Sequence, residues 1–365
     1  LRARLEDVNY FWIEDIKTEL SNNIEKLKKV VFQKNLGSIW DKTQRVRKIA
    51  DQLVKSLSIE VSPNLVQLIE LSKADLVSQL VFELPDLQGT IGKFIYQMQN
   101  PTQAKDALAL EEHYFPRFQG DQLPTTNDGV VIGISDRLDT IAACFYNKLI
   151  PTGSQDPWGI RRALFAILQI IIDKKLDVNL KKELEMAYEN LGPLDSNFDK
   201  LIDFTTQRLK SFFTDTSTHK GLKYDVVDAV ASLALRSPLK AQVVANELDS
   251  FRNNIPKEFK LWVETGIRIK RLTHKIEKVT EVNPPLFSEE SEIELWRVFQ
   301  DLSKNSPGLD RNLEHSRSLV PSLILFFENV LVMDKNEAIK NNRLALLNEI
   351  SYLFNRDCDL ERISI

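Results

Sequence analysis

Apolar positions recur three and four residues apart along almost the whole chain, and this spacing predicts helices. In residues 1–31 the repeating positions are Leu5, Val8, Phe11, Trp12, Ile16, Leu20, Ile24, Leu27 and Val31, an amphipathic helix pair with Ser21 as a candidate internal cap. The pattern resumes over 41–57 through Val46, Ile49, Leu53 and Leu57. It then runs almost wholly apolar from Pro63 through Leu65, Leu68, Ile69, Leu71, Leu76, Leu80 and Val81, which predicts a central helix. Pro85, Gly89 and Gly92 break it. Further helices are expected over 93–98, 104–114, about 129–148, 180–191 and 198–213, and from Pro157 to Lys175, with Asp156 as N-cap and Pro157 at the first helical position. After the polar segment 214–221, the best domain boundary, six more are expected over 224–235, 238–253, 256–279, 288–303, 312–327 and 337–354. No strand-like alternation persists beyond five residues. The expected fold class is all-α, with one domain over 1–215 and a second over 216–365.

Composition sharpens this picture in a few places. At 365 residues the chain exceeds what one core usually spans, which supports two domains. With 43% hydrophobic and 27% charged residues it is a globular sequence, and only 12 Gly and 14 Pro agree with helix throughout. A net charge of -4 gives no global basic footprint, so nucleic-acid binding has to come from a local face. Cys144 and Cys358 match neither a disulfide framework nor a zinc spacing and read as buried thiols in a reducing compartment. No run of eighteen apolar residues exists, so no membrane partner is expected. The opening LRARLEDVNY, already in helical rhythm and without Met, reads as part of a longer polypeptide.

Candidate chemistry concentrates in residues 107–162. That stretch holds Glu111-Glu112-His113-Tyr114-Phe115-Pro116-Arg117, then Ser135-Asp136-Arg137-Leu138-Asp139-Thr140, then Pro151-Thr152-Gly153 and Asp156-Pro157-Trp158-Gly159-Ile160-Arg161-Arg162. His113 lacks an accompanying Ser or Cys nucleophile motif and reads as a brace of the turn before Pro116. The helix start at Asp156, with Arg161 and Arg162, is a candidate phosphate site, a capped structural helix being the other reading. Lys257, Lys260, Arg268, Lys270, Arg271, Lys275 and Lys278 form a cationic ridge with Trp262 beside it, the electrostatic requirement for tracking an RNA backbone. Glu258, Glu264 and Glu277 interleave, so a solvated face is the competing reading. Neither G-x-x-x-x-G-K-[ST] nor G-x-G-x-x-G occurs, and no nucleotide-binding loop or catalytic residue is expected in the chain.

Taken as a series, these motifs resemble the β subunit of the heterotetrameric bacterial and chloroplast glycyl-tRNA synthetase. So do VVFQKNLGSIWDKTQR, Lys73-Ala74-Asp75-Leu76-Val77 and Glu83-Leu84-Pro85-Asp86-Leu87-Gln88-Gly89 in the first part. In the second part, Ile269-Lys270-Arg271-Leu272, Phe326-Phe327-Glu328-Asn329-Val330-Leu331-Val332-Met333 and Asn342-Arg343-Leu344-Ala345-Leu346-Leu347 look like its C-terminal anticodon-binding domain, which is similar to that of arginyl-tRNA synthetases. The first part also resembles the HD superfamily of metal-dependent phosphohydrolases in its order of features. Aligned by pattern, however, Lys48 stands in the first His slot and Ala74-Asp75 in the His-Asp slot, with Asp136 as the last Asp; a degenerate site of Lys48, Asp75, His113 and Asp136 is the expectation, with no metal. A salt bridge from Asp75 or Asp136 to a cation such as Lys48 would replace the ion.

The resemblance implies a tRNA-binding part of a glycine-tRNA ligase. It would position tRNA(Gly) for a separate α subunit that carries ATP and Mg2+, in an α2β2 heterotetramer of the cytoplasm or the chloroplast stroma, with no cofactor in this chain. Lys270, Arg271, Lys275, Arg343, Arg161 and Arg162 are the expected tRNA contacts. An HD-type phosphohydrolase and a protein-binding helical scaffold are the alternatives.

Overall fold

The computed structural model describes residues 2–151, 156–216, 221–274, 281–305 and 312–365. Among these the regular structure is helical, and one isolated antiparallel bridge between Val31 and Ser38 is the sole β pairing. The chain forms two compact units, Leu1–Phe212 with Leu235–Leu239, and Phe213–Ala234 with Lys240–Ile365.

The helices of the first part are α1 (Arg2–Ile16), α2 (Asn23–Leu27), α3 (Ile39–Leu57), α4 (Leu65–Leu71), α5 (Gln79–Glu83), α6 (Thr90–Gln99), α7 (Leu108–Glu112), α8 (Asn127–Tyr146), α9 (Ile160–Asp173), α10 (Leu180–Glu189) and α11 (Ser196–Thr214). The central element is α8: it is buried almost continuously from Gly129 to Phe145 and packs against α3, α7, α9 and α10. Both partners in its main contact are capped. Ser38 and Asp41 exchange hydrogen bonds in a capping box that starts α3, and the Thr126 hydroxyl accepts from Gly129 N–H at 3.1 Å to start α8.

Periodicity placed these helices but misjudged where several stop. The single apolar helix expected from Pro63 to Val81 is α4, a 3-10 turn over Ala74–Val77, and α5. Local polar groups divert the backbone: the Ser78 hydroxyl accepts from Val81 N–H, and Asp15 accepts from Gln79 and Leu80 N–H, both at 2.9 Å. Ser21 lies inside a 3-10 turn between α1 and α2 and caps nothing by its side chain. Residues 104–107 are turns, leaving only Leu108–Glu112 as α7.

The second part holds α12 (Tyr224–Arg236), α13 (Pro238–Asn254), α14 (Pro256–Thr273), α15 (Glu290–Asn305), α16 (Asn312–Asn329) and α17 (Glu337–Asn355). Its core forms where α14 meets α16 and α17. Trp262 is buried, stacks on Phe354 and donates its indole N–H to the Ser316 hydroxyl at 2.9 Å. Gly266 lets the backbones close: a Cβ there would come within 2.7 Å of Phe354 and 2.3 Å of Leu360. Cys144 and Cys358 are both buried free thiols.

A buried ion pair fixes α15 to α17. Arg343, 3% exposed, donates to Glu292 at 2.7 and 3.3 Å, to Asp334 at 3.0 Å, to the Leu331 carbonyl at 2.9 Å and to the Ser288 hydroxyl at 3.0 Å. Its donors are spent inside the protein, so the sequence-based assignment of Arg343 as a tRNA contact is corrected to a structural one. Arg343→Ala strands Glu292 as a buried charge and should cost about 3–5 kcal/mol of stability in chemical denaturation. The pair Arg343→Met with Glu292→Met should recover most of that loss. A single variant as stable as the parent would refute the structural assignment.

A buried ionic cluster and a candidate RNA-binding face

On α3, Lys42 and Arg45 stand three positions apart; on α8, so do Asp136 and Asp139. That spacing puts each pair on one helix face, so two cations meet two carboxylates. Lys42 Nζ donates to Asp136 Oδ1 at 2.6 Å and to its carbonyl at 3.0 Å. Arg45 grips the fully buried Asp139 through two nitrogens, at 2.7 and 3.1 Å. A third cation enters from the end of α4: Lys73 Nζ lies 3.3 Å from Asp136 Oδ2, 3.0 Å from His113 Nε2 and 4.1 Å from the centroid of the Tyr114 ring.

Burial acts on Asp136, Lys73 and His113. It would raise the Asp136 carboxyl, but the ammoniums of Lys42 and Lys73 overcome it and hold the group far below the carboxylate range. Burial lowers Lys73 to about 8, with Asp136 pulling the other way. Burial and the Lys73 charge push His113 well below the imidazole range, so the ring is neutral. Its Nδ1 lies 3.2 Å from the Ala109 carbonyl, which assigns the proton to Nδ1 and leaves the Nε2 lone pair for Lys73. Burial raises Asp75 too, against the pull of the Gly89 and Gly92 N–H groups.

The expected degenerate site is therefore rearranged. Lys48 is exposed and holds neither Asp75 nor Asp136; six residues beyond Lys42, it is turned about 120° away around the helix. Lys42 and Lys73 take the place expected of it. Asp75 faces α6, accepting from Gly89 N–H at 2.6 Å and Gly92 N–H at 3.2 Å. Glu112 accepts from Thr125 and from the Thr126 N–H and hydroxyl. Among the described residues no three His, Cys, Asp or Glu side chains converge as metal donors. These residues do not fit a metal ion: the oxygens of Asp136 are already held by two ammoniums, which would repel one. Arg137 closes the knot by donating to the carbonyls of His113, Gly133, Tyr114, Phe115 and Pro116, so that His113 and its neighbours are braced against α8.

The candidate phosphate site at the start of α9 is also occupied from within. The helix begins at Ile160, three residues later than expected, and the Asp156 carboxylate accepts from Ile160 and Arg161 N–H at 2.9 and 3.0 Å. An anion there would meet that carboxylate. Arg161 is half-buried and Arg162 exposed.

In the second unit, burial sorts the cations of α14. Lys257, Lys260, Arg268 and Arg271 are exposed at spacings of three, eight and three, and Glu264 between them completes a continuous three-and-four stripe along one face. Arg268 lies 3.9 Å over the Phe327 ring centroid. Arg271 is open, its side chain 74% exposed, with Glu361 3.7 Å away. Lys270 points elsewhere, into Asp359 at 2.6 Å and Glu361 at 2.9 Å. Lys275 and Lys278 lie outside the described residues. Sequence reasoning missed the roles of Lys42, Arg45 and Asp139; the matching i,i+3 spacing of cations on α3 and carboxylates on α8 was the available signal.

Lys73 carries a pH signature. Its folded value of about 8 lies below its ordinary 10.5, so between these the unfolded chain binds more protons and stability rises with pH. Lys73→Met should flatten that rise, by on the order of 3 kcal/mol from pH 8 to 10.5, in denaturation curves of parent and variant. Parallel curves would place Lys73 in water. At the acid end, Asp136 stabilises the fold above its ordinary value of 3.8 and loses that contribution as pH falls through its depressed folded value.

Comparison with known sequences places this geometry. A sequence profile of the family described as glycyl-tRNA synthetase beta subunit matches residues 1–232. The chain is 38% identical over its whole length to the glycine-tRNA ligase beta subunit of Clostridioides difficile, covering 53% of that protein. It is 36% identical to the beta subunit of Aquifex aeolicus and 33% to that of Halothermothrix orenii, again over its whole length and covering 52% and 54% of them. The chain thus spans about half the length of these relatives, matching their C-terminal half. With a profile match over more than half its residues and full-length similarity above 30%, the chain belongs to the glycyl-tRNA synthetase beta subunit family.

Proposed function

We propose that the chain is a tRNA-binding part of a glycine-tRNA ligase β subunit. It holds tRNA(Gly) so that the acceptor end reaches an active site on a separate α subunit, where glycine, ATP and Mg2+ are handled, within an α2β2 assembly. Its contribution to aminoacylation is positional: binding energy from contacts remote from the reacting atoms is spent on orientation.

The observation that carries this reading is the exposed stripe of Lys257, Lys260, Arg268 and Arg271 on α14. These cations span about 21 Å along the helix and are set for an RNA backbone: Lys260 and Arg271 meet Glu264 and Glu361 only at 3.8 and 3.7 Å, whereas Lys270 and Arg343 are held by close carboxylates of the chain itself. Arg268, laid over Phe327, offers its outer face to a base. Arg162 and Arg161 are a candidate second contact on the first unit, and Lys275 a candidate extension of the stripe.

Binding to transcribed glycine tRNA, titrated with salt, tests this. Lys257→Ala, Lys260→Ala, Arg268→Ala and Arg271→Ala should each reduce the slope of log K against log salt by about one. Lys270→Ala should leave the slope nearly unchanged. Slopes that stay put in all four stripe variants would remove this face from the interaction. A tRNA altered at the anticodon should compete less well than the intact one.

A further inference from the structure

The segment from Lys28 to Ser38, between α2 and α3, folds into a short hairpin whose outer edge is open. Ile39 N–H donates to the Val30 carbonyl at 2.8 Å and Phe32 N–H to the Gly37 carbonyl at 3.0 Å, which pairs Val31 with Ser38. Backbone polar groups alternate in direction along an extended strand, so the N–H and C=O of Val31 point away from this pairing. Among the described residues no hydrogen bond reaches either group, and Val31 is 73% exposed. The edge is fixed from behind. Leu36 and Gln33 are buried; the Gln33 amide donates to Cys144 Sγ at 3.6 Å, and its oxygen accepts from Asn147 at 3.0 Å. The Phe32 ring lies beneath Lys42 and Arg45, whose charged groups are 5.3 and 5.7 Å from its centroid. An edge ordered in advance gives up little entropy on pairing.

Charge decides what pairs there. Four lysines and one glutamate lie between Glu25 and Lys34, both included. Lys28 is held by Glu25 at 2.6 Å and leans over the Trp40 ring at 5.8 Å. Lys26, Lys29 and Lys34 are exposed, and among the described residues no carboxylate forms an ion pair with them. A second copy of this edge would set its own lysines against these, and is disfavoured. An RNA backbone would use the ammoniums, but the Val31 carbonyl turns an acceptor toward a phosphate, and the exposed Val30 and Val31 side chains add nothing to it. An extended polypeptide uses the whole set. Its main chain exchanges an N–H and C=O pair with Val31, a β-branched side chain packs beside the valines, and carboxylates meet Lys26, Lys29 and Lys34. We propose that this edge docks an extended, acidic segment of another polypeptide by strand addition. Lysines on an edge discourage indiscriminate strand pairing, so the acidic side chains select the partner as well as hold it.

Fluorescence anisotropy of a labelled peptide of sequence EETVTVEE, titrated with the whole chain, reads this docking. Binding should saturate, and N-methylation of the four central residues of the peptide should abolish it. Val31→Pro deletes the outward donor, which has no partner within the chain, and should weaken binding about fivefold, the worth of one hydrogen bond. The double variant Lys29→Glu with Lys34→Glu should weaken it about tenfold at low salt, by a factor that shrinks as salt is added. Circular dichroism checks the fold of each variant, and the N-methylated peptide reads the pairing on the unaltered chain should Val31→Pro fail to fold. Absence of saturable binding, or binding that both the N-methyl groups and Val31→Pro leave intact, overturns the proposal. So does a uridine decanucleotide that binds more tightly than the peptide, weakens in the lysine variant and ignores Val31→Pro, which would make the hairpin an RNA contact.

Discussion

The first unit depends on one electrostatic constraint: three cations and two carboxylates are withdrawn from water between α3, α8 and the end of α4, and each must find its opposite there. Asp139 is wholly buried and Lys42 nearly so. A single ion in such a place costs several kcal/mol, and only close, well-directed partners offset it. The sequence meets this by geometry, since the i,i+3 spacing on α3 matches that on α8 and Arg45 engages Asp139 through two nitrogens. Because α8 is also the hydrophobic axis of the unit, the ion pairs set its registry while the apolar faces supply the driving force. Arg137 extends the constraint to the turn after α7, whose carbonyls it collects.

This cluster explains why the residues aligned with hydrolase ligand positions do not assemble as donors. An imidazole or carboxylate ligand must keep a lone pair directed at a common point. Here the lone pair of His113 faces an ammonium, Asp75 caps a helix start, and Glu112 holds the threonines that begin α8. Each of these groups is turned to a separate partner, Asp75 through Oδ2 alone, and this removes the shared vertex that metal chemistry requires.

Helix class and most helix positions were legible in the sequence because apolar periodicity and capping are local. The Pro256 start of α14 is written in a few adjacent residues, whereas α3, expected from 41, starts two residues earlier at the Ser38–Asp41 capping box. What was not legible depends on partners far away in the chain. Lys42 and Lys48 look alike in sequence, and only the position of α8, nearly a hundred residues later, decides which one is buried. Arg343 looked like a surface cation until Glu292 and Asp334 were brought to it. Lys270 and Arg271 are adjacent, yet a helix turns them 100° apart, so one is held by the Asp359–Glu361 turn and the other faces solvent. The 3-10 break after α4 was missed because Asp15, some sixty residues upstream, supplies the acceptor that stabilises it.

In the second unit the same sorting distinguishes structure from recognition. A cation whose donors are filled by internal carboxylates has lost the capacity to recognise anything else, whereas one resting on an aromatic ring keeps its outer face and edges available. Arg343 and Lys270 belong to the first kind; Arg268 over Phe327 and Arg317 over Phe251 belong to the second. Both aromatic supports come from helices packed around α14, so the rings are fixed by the core while the guanidiniums they carry face outward. Recognition built this way needs little reorganisation on binding, because the entropy of the arginine side chain is already reduced before a ligand arrives. A helical unit with a net acidic parent chain can in this way present a local cationic face, because its closest ion pairs fall on cations outside that face while those within it, Lys260 with Glu264 and Arg271 with Glu361, are long and exposed.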